Sequence, residues 1–205
     1  MPFRIEQKIT LTPGKLFDLR EWIEKNDGKL LYPDRVINSI YFDNRDYLMY
    51  YDSMEGVLPR KKIRLRQYST NFLLTNNVKK EIKISSVEGR YKMSSDERNV
   101  KKIINHGIMD SKYGVCHPVI NIVYERSYYK IKNIRFTIDK NISYKKIING
   151  NILNHSIKDR NNVVELKYNN KNLDNSVIKN FPFQISRFSK YCRGVEFTNI
   201  NYYNE

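Results

Sequence analysis

Residues 60–68, Arg-Lys-Lys-Ile-Arg-Leu-Arg-Gln-Tyr, restrict the fold more than any other stretch of the chain. Side chains of a strand alternate between two faces. An extended backbone therefore puts Arg60, Lys62, Arg64, Arg66 and Tyr68 on one side and Ile63 and Leu65 on the other. Four cations in a row repel one another, and nothing nearby in sequence neutralises them. A solvated edge strand, guarded by Lys and Arg against pairing with other chains, is one explanation. Recurrence of the pattern argues for another. Arg4, Glu6 and Lys8 alternate with Phe3, Ile5 and Ile9; Lys79, Glu81 and Lys83 oppose Ile82 and Ile84; Arg135, Thr137 and Asp139 alternate with Ile134, Phe136 and Ile138.

A chain of 205 residues is long enough for one domain with a sizeable core, and 1–205 is read as a single domain. Its formal net charge of +15 implies an anionic partner. With 40% hydrophobic and 13% aromatic residues, it is not a disordered basic tail. Cys116 and Cys192 have neither disulfide-framework nor metal spacing and read as reduced thiols, and His106, His117 and His155 are scattered. No run approaches the ~18 apolar residues of a membrane span, and no signal peptide opens the chain. The expectation is a cytoplasmic protein with no membrane segment of its own.

In chain order, a strand over 3–9 precedes a helix with Thr12 as N-cap, Pro13 in its first turn, the stripe Leu16, Leu19, Ile23, and a stop at Asn26-Asp27-Gly28. Strands follow over 37–43, 60–68 and 79–84, with a short helix over 46–51 between the first two and a turn over 71–77 before the third. A loop then supplies Arg90 and Lys92. Ser94 and Glu97 have capping-box spacing and predict a helix to about Asn105, ended by Gly107. Strands over 119–128 and 134–139 form a hairpin about Lys132-Asn133. Residues 141–162 read as a loop with one short strand. A strand over 163–168, a short helix over 173–179 and a helix entrance over 186–191 complete the chain.

A sheet that closes on itself gives the charged faces a lumen to line. The expected fold is mainly β with flanking helices (α+β), built on a closed antiparallel barrel of about eight strands. A lumen of Lys and Arg is tolerable only when filled by water and a polyanion. Phosphate suits it, because guanidinium forks bind phosphate oxygens in pairs. The interleaved acids Glu6, Glu81, Asp139 and Glu165 gain nothing from a bare anion, but do serve a metal–triphosphate complex, with Mg²⁺ or Mn²⁺ the suitable ions. Single-strand nucleic-acid platforms put aromatics beside the cations. Here Tyr68, Tyr124 and Tyr128 do so, but Phe136, Ile82 and Leu166 face away, and no nucleic-acid partner is expected.

Several motifs taken together resemble the vacuolar transporter chaperone (VTC) domain, the polyphosphate polymerases of the triphosphate tunnel superfamily. They are Arg4-x-Glu6-x-Lys8, Tyr41-Phe42-Asp43, Lys62-x-Arg64-x-Arg66-x-Tyr68, Glu81-x-Lys83, Tyr124-x-Arg126, Arg135-x-Thr137-x-Asp139, Glu165-x-Lys167 and Ser189-Lys190-Tyr191. The resemblance implies a tunnel that takes ATP by its phosphates and passes a growing polyphosphate. It implies that Lys8, Arg64, Arg66, Lys83, Arg126, Arg135 and Lys190 act on the transferring phosphate. Lys62, Tyr124, Arg187, Ser189 and one of Arg90 and Lys92 become further substrate contacts, and Glu165 with Glu6 becomes the metal site. A membrane or transport partner in trans is a further implication.

Within that superfamily the hydrolase branch opens with Glu-x-Glu-x-Lys, and here Arg4 replaces the first acid. Fewer carboxylates leave fewer groups to hold metal and orient a hydrolytic water. That favours polymerase over triphosphatase. A non-catalytic polyphosphate-binding module is the third reading.

Overall fold

The computed structural model describes residues 4–69, 77–169 and 181–200. The expected turn over 71–77 falls almost wholly outside these residues, and the expected helix over 173–179 falls outside them entirely. The strands are β1 Arg4–Leu11, β2 Lys29–Asp43, β3 Arg60–Gln67, β4 Val78–Ser86, β5 Gly89–Glu97, β6 Ile108–Asp110, β7 Gly114–Ile131, β8 Ile134–Ile148, β9 Asn151–Ile152, β10 Ile157–Lys158 and β11 Asn162–Asn169. The helices are α1 Pro13–Lys25, α2 Leu48–Glu55, α3 Val100–His106 and α4 Lys190–Ile200.

The hydrogen-bonded order is β1-β11-β8-β7-β2-β3-β4-β5. The closed barrel is therefore corrected to an open sheet: among the described residues β1 and β5 are its two ends and do not pair. Side-chain alternation gives a strand two different faces but says nothing about whether two distant edges meet. β3 lies between β2 and β4, so the basic strand is not an edge strand.

The chain divides into two compact units. The first comprises Met1–Arg35, Tyr124–Ile142 and Asp159–Phe188. Here β1, β11 and β8 pair antiparallel, with Lys8 opposite Glu165 and Glu165 opposite Thr137. Their apolar faces contribute Ile9, Leu11, Ile134, Phe136, Ile138, Val164 and Leu166 to a core closed by Leu16, Leu19 and Ile23 of α1. That helix starts where the sequence indicates, with the Thr12 hydroxyl accepting from the Lys15 N–H and Pro13 in its first turn. Full burial of each Leu or Ile stabilises by about 1.5–3 kcal/mol, so three of them secure the helix. The hairpin turn is Lys132-Asn133, with Lys132 at φ 47°.

The second unit comprises Val36–Val123, Ser143–Lys158 and Ser189–Glu205. β2, β3, β4 and β5 form an antiparallel meander in which Arg64 stands opposite Tyr41 on one side and Glu81 on the other. Residues 89–97, expected as loop and helix start, are instead strand β5, and the helix begins only at Val100, with no side-chain cap from Asn99. Residues 141–148, expected as loop, continue β8, and β9 and β10 pair back onto it. Helix α4 approaches the sheet through Gly194, where a Cβ would lie 2.5 Å from Ile120 Cδ1 and 2.7 Å from Tyr144 Cδ1. This close approach sets the position of Ser189 and Lys190 at the start of the helix. Among the described residues no helix is long and apolar enough to cross a membrane.

Candidate functional site

Each unit carries a charged face made by strand parity. In the second unit, direct cross-strand partners share a side of the sheet. Tyr41 of β2, Lys62, Arg64 and Arg66 of β3, Glu81 and Lys83 of β4, and Arg90 and Lys92 of β5 therefore share one. The centre is Glu81, buried and surrounded by cations. Its Oε2 accepts from Arg64 Nε at 2.7 Å and lies 3.7 Å from Arg66 Nη1, while its Oε1 accepts from Lys92 Nζ. Burial pushes this carboxyl up, but the charges of Arg64 and Arg66 and the hydrogen bonds from Lys92 and Arg64 outweigh it, lowering its pKa from 4.5 to about 2.

Arg64 also donates from Nη1 to the Tyr41 hydroxyl at 2.8 Å. Lys62 Nζ donates to Ser189 Oγ at 2.8 Å, and that oxygen accepts the Cys192 N–H at 3.3 Å, capping α4. Lys190 is the half-buried first residue of that helix. Lys83 stands between Lys62 and Lys92 in the ladder. Both candidates on β5 are exposed on this face, and Lys92 reaches Glu81. Tyr191 stacks on Tyr41 with ring centroids 5.4 Å apart, and its hydroxyl donates to the buried Asp43. Asp43 in turn accepts the N–H groups of Met49 and Tyr50 at 3.0 Å.

In the first unit, Glu6 and Lys8 of β1, Arg135, Thr137 and Asp139 of β8, and Glu165 and Lys167 of β11 share a face. Arg126 of β7 binds Asp139 through Nε and Nη2, and its Nη2 lies 3.7 Å from Glu165 Oε2. The buried Tyr124 ring lies 5.3 Å from the Arg126 guanidinium carbon. Lys167 Nζ stands 3.5 Å from Glu165 Oε1, and Lys8 Nζ donates to the Phe188 carbonyl at 3.0 Å. Arg135 and Arg187 are exposed. Burial pushes Glu165 up, yet a hydrogen bond with Glu6 and the charges of Lys167, Arg126 and Lys8 hold it well below the ordinary carboxylate range.

The expected site residues thus fall into two sets: Glu6, Lys8, Tyr124, Arg126, Arg135, Glu165 and Arg187 in the first unit, and Lys62, Arg64, Arg66, Lys83, Arg90, Lys92, Ser189 and Lys190 in the second. Tyr41 and Thr137 are not among the residues expected from the sequence to form the site. Their parity with Arg64 and Glu165 was the available signal.

The Glu6–Glu165 pair fits a hard divalent cation. Its donors are all oxygen, its two carboxyls are already in hydrogen-bond contact, and Thr137 Oγ1 opposite Glu165 is buried without a hydrogen-bond partner. Among the described residues no group of three or more His, Cys, Asp or Glu side chains could hold a metal. The pair therefore suits an ion that completes its shell with phosphate and water oxygens, as Mg²⁺ does.

The family model described as "VTC domain" matches residues 3–115 and 95–199. No curated protein matches the chain. Among solved structures, a candidate adenylyl cyclase from Hippeastrum, described as having a dominant triphosphatase activity, superposes with a TM-score of 0.55 at 12% identity. The alignment covers 95% of this chain and 96% of that one. An adenylate cyclase candidate from Vibrio parahaemolyticus gives a TM-score of 0.47 at 9% identity, over 96% of this chain and 87% of that one.

Proposed function

Given that the chain belongs to the VTC domain family, we propose that it is a polyphosphate polymerase of the triphosphate tunnel class, moving the γ-phosphate of ATP onto the end of a polyphosphate chain. The observation that carries this reading is the engagement of the acids. Glu81 is taken by Arg64 and Lys92, and both oxygens of Asp139 are taken by Arg126. A hydrolytic water needs a base to accept its proton. A terminal phosphate is already anionic and needs only neutralisation and alignment.

On this reading, Arg64, Arg66, Lys83 and Lys92 neutralise phosphate oxygens on the second unit's face, and Lys62 with Ser189 ties the start of α4 to that face. Arg126, fixed by Asp139 and backed by the Tyr124 ring, presents a guanidinium that cannot swing away. Lys8 and Arg135 add positive charge on the first unit's face. Glu6 and Glu165 would hold Mn²⁺ or Mg²⁺, which when bound would spread the charge developing on the transferring phosphoryl group. Catalysis is then positioning plus electrostatics.

Triphosphatase activity is the second reading. It is favoured by the activity printed for the Hippeastrum protein, although 12% identity carries likeness of fold alone. Incubation of the purified protein with ATP and Mn²⁺ tests the proposal. Long polyphosphate on a stained gel, with matching ADP, supports it; orthophosphate alone supports the hydrolase.

A further inference from the structure

We propose that Tyr41 is itself a phosphate ligand, its hydroxyl donating to an unprotonated phosphate oxygen on the second unit's cationic face. The inference rests on the polyphosphate reading and adds to it a neutral donor among the cations. A phenol has one proton to give and lone pairs with which to accept. The Tyr41 oxygen already accepts from Arg64 Nη1 at 2.8 Å, and among the described residues nothing accepts its proton. The groups facing it explain why. Arg64 and Arg66 on β3 and Lys83 on β4 are donors only, Glu81 across β3 is occupied by Arg64 and Lys92, and Asp43 by Tyr191 and the α2 N–H groups. From α4, Tyr191 offers a ring face and sends its own hydroxyl to Asp43; Lys62 Nζ lies 5.9 Å from the centre of that ring.

The hydroxyl cannot easily turn elsewhere. Tyr41 is buried, its ring lies 19° from parallel with Tyr191, and Tyr191 is anchored through Asp43 to the N–H groups that open α2. A buried donor without an acceptor is costly. In a ring of cations the acceptor that arrives is an anion. The same cations work on the free protein: although burial raises the phenol, the charges of Arg64, Arg66 and Lys83 and the Arg64 hydrogen bond lower its pKa to about 8. Without ligand the cations make the proton easier to lose as pH rises through 8; a phosphate oxygen that accepts it holds it in place.

The test is calorimetric binding of long-chain polyphosphate, whose interior phosphates are ionised throughout the range, to the full chain between pH 7 and pH 9. If the protonated phenol is the binding form, affinity one unit above its pKa is about tenfold below that of the fully protonated protein. Tyr41→Phe is expected to bind roughly tenfold more weakly at pH 7, as the loss of a hydrogen bond to a charged group gives, and to lose nothing further by pH 9. Tyrosinate absorbance adds an independent readout: one phenol of the free protein ionises near pH 8, moves upward with saturating polyphosphate, and is missing in Tyr41→Phe. Should the variant fail to fold, the wild-type pH profile and the ligand-dependent movement of that phenol decide alone. Flat wild-type binding from pH 7 to 9, or unaltered binding by a folded Tyr41→Phe, overturns the inference. A wild-type protein that binds no polyphosphate overturns the functional reading with it, whereas a folded Tyr41→Phe that binds polyphosphate as tightly as the wild type and still turns ATP into chains overturns this inference alone.

Discussion

Arg126 grips Asp139 with two parallel hydrogen bonds, Nε to Oδ1 at 2.5 Å and Nη2 to Oδ2 at 2.7 Å. Both side chains are nearly or wholly removed from water, so the pair is bound to the fold as much as to any ligand. Breaking such a pair leaves a charge stranded. Asp139→Ala should therefore destabilise the protein by about 3–5 kcal/mol in urea unfolding. A loss below about 1 kcal/mol would mean that the guanidinium finds water or another partner.

Glu81 gives the stability a pH dependence on the acid side. Its folded pKa of about 2 lies below the ordinary 4.5, so its contribution is complete above pH 4.5 and fades as pH falls from 4.5 towards 2. A gap of that size corresponds to roughly 3 kcal/mol. Glu81→Gln should be less stable than the wild type at pH 7 by up to that amount, and the two unfolding curves should converge near pH 2. A difference that stays constant across that range would assign the loss to shape rather than charge.

The two faces answer substitution differently. On the proposed reading, Glu165→Gln should lower turnover at least tenfold while polyphosphate binding is kept, because it replaces one carboxylate oxygen by an amide nitrogen and removes one negative charge from the face. Near-normal turnover at saturating Mn²⁺ would remove the metal role from Glu165.

Arg66→Ala should weaken triphosphate binding and flatten its dependence on ionic strength, since one counter-charge to phosphate is lost. Binding measured at two salt concentrations checks both effects together. Unchanged affinity and an unchanged salt slope would place the Arg66 charge outside the phosphate contacts.

Period-two alternation made the charged faces legible. Arg64, Glu81 and Lys83 share a side in the sheet as their spacing indicates, and so do Glu6, Lys8 and Glu165. Strand β5 was hidden because its residues are exposed on both faces, so Tyr91, Met93 and Ser94 give no apolar alternation, while the Ser94–Glu97 spacing mimics a helix start. Pairing with β4, Ile82 opposite Met93, overrode that local signal. The second half of β8 was hidden for a different reason: Asn141 sits at φ 52°, and beyond it Ile142, Tyr144 and Ile147 are buried with broken period among lysines. Closure of the sheet was never encoded in parity. It depends on whether the two end strands pair, and among the described residues β1 and β5 are the ends of the hydrogen-bonded order.

Phosphorus NMR of the protein incubated with ATP and Mn²⁺ separates chain growth from hydrolysis, because interior chain phosphates resonate apart from orthophosphate. For a polymerase the ATP signals should give way to ADP and a growing interior-chain signal, with little orthophosphate at early times. Orthophosphate as the sole phosphate product, from ATP or from inorganic triphosphate, would contradict it and make the chain a tunnel triphosphatase.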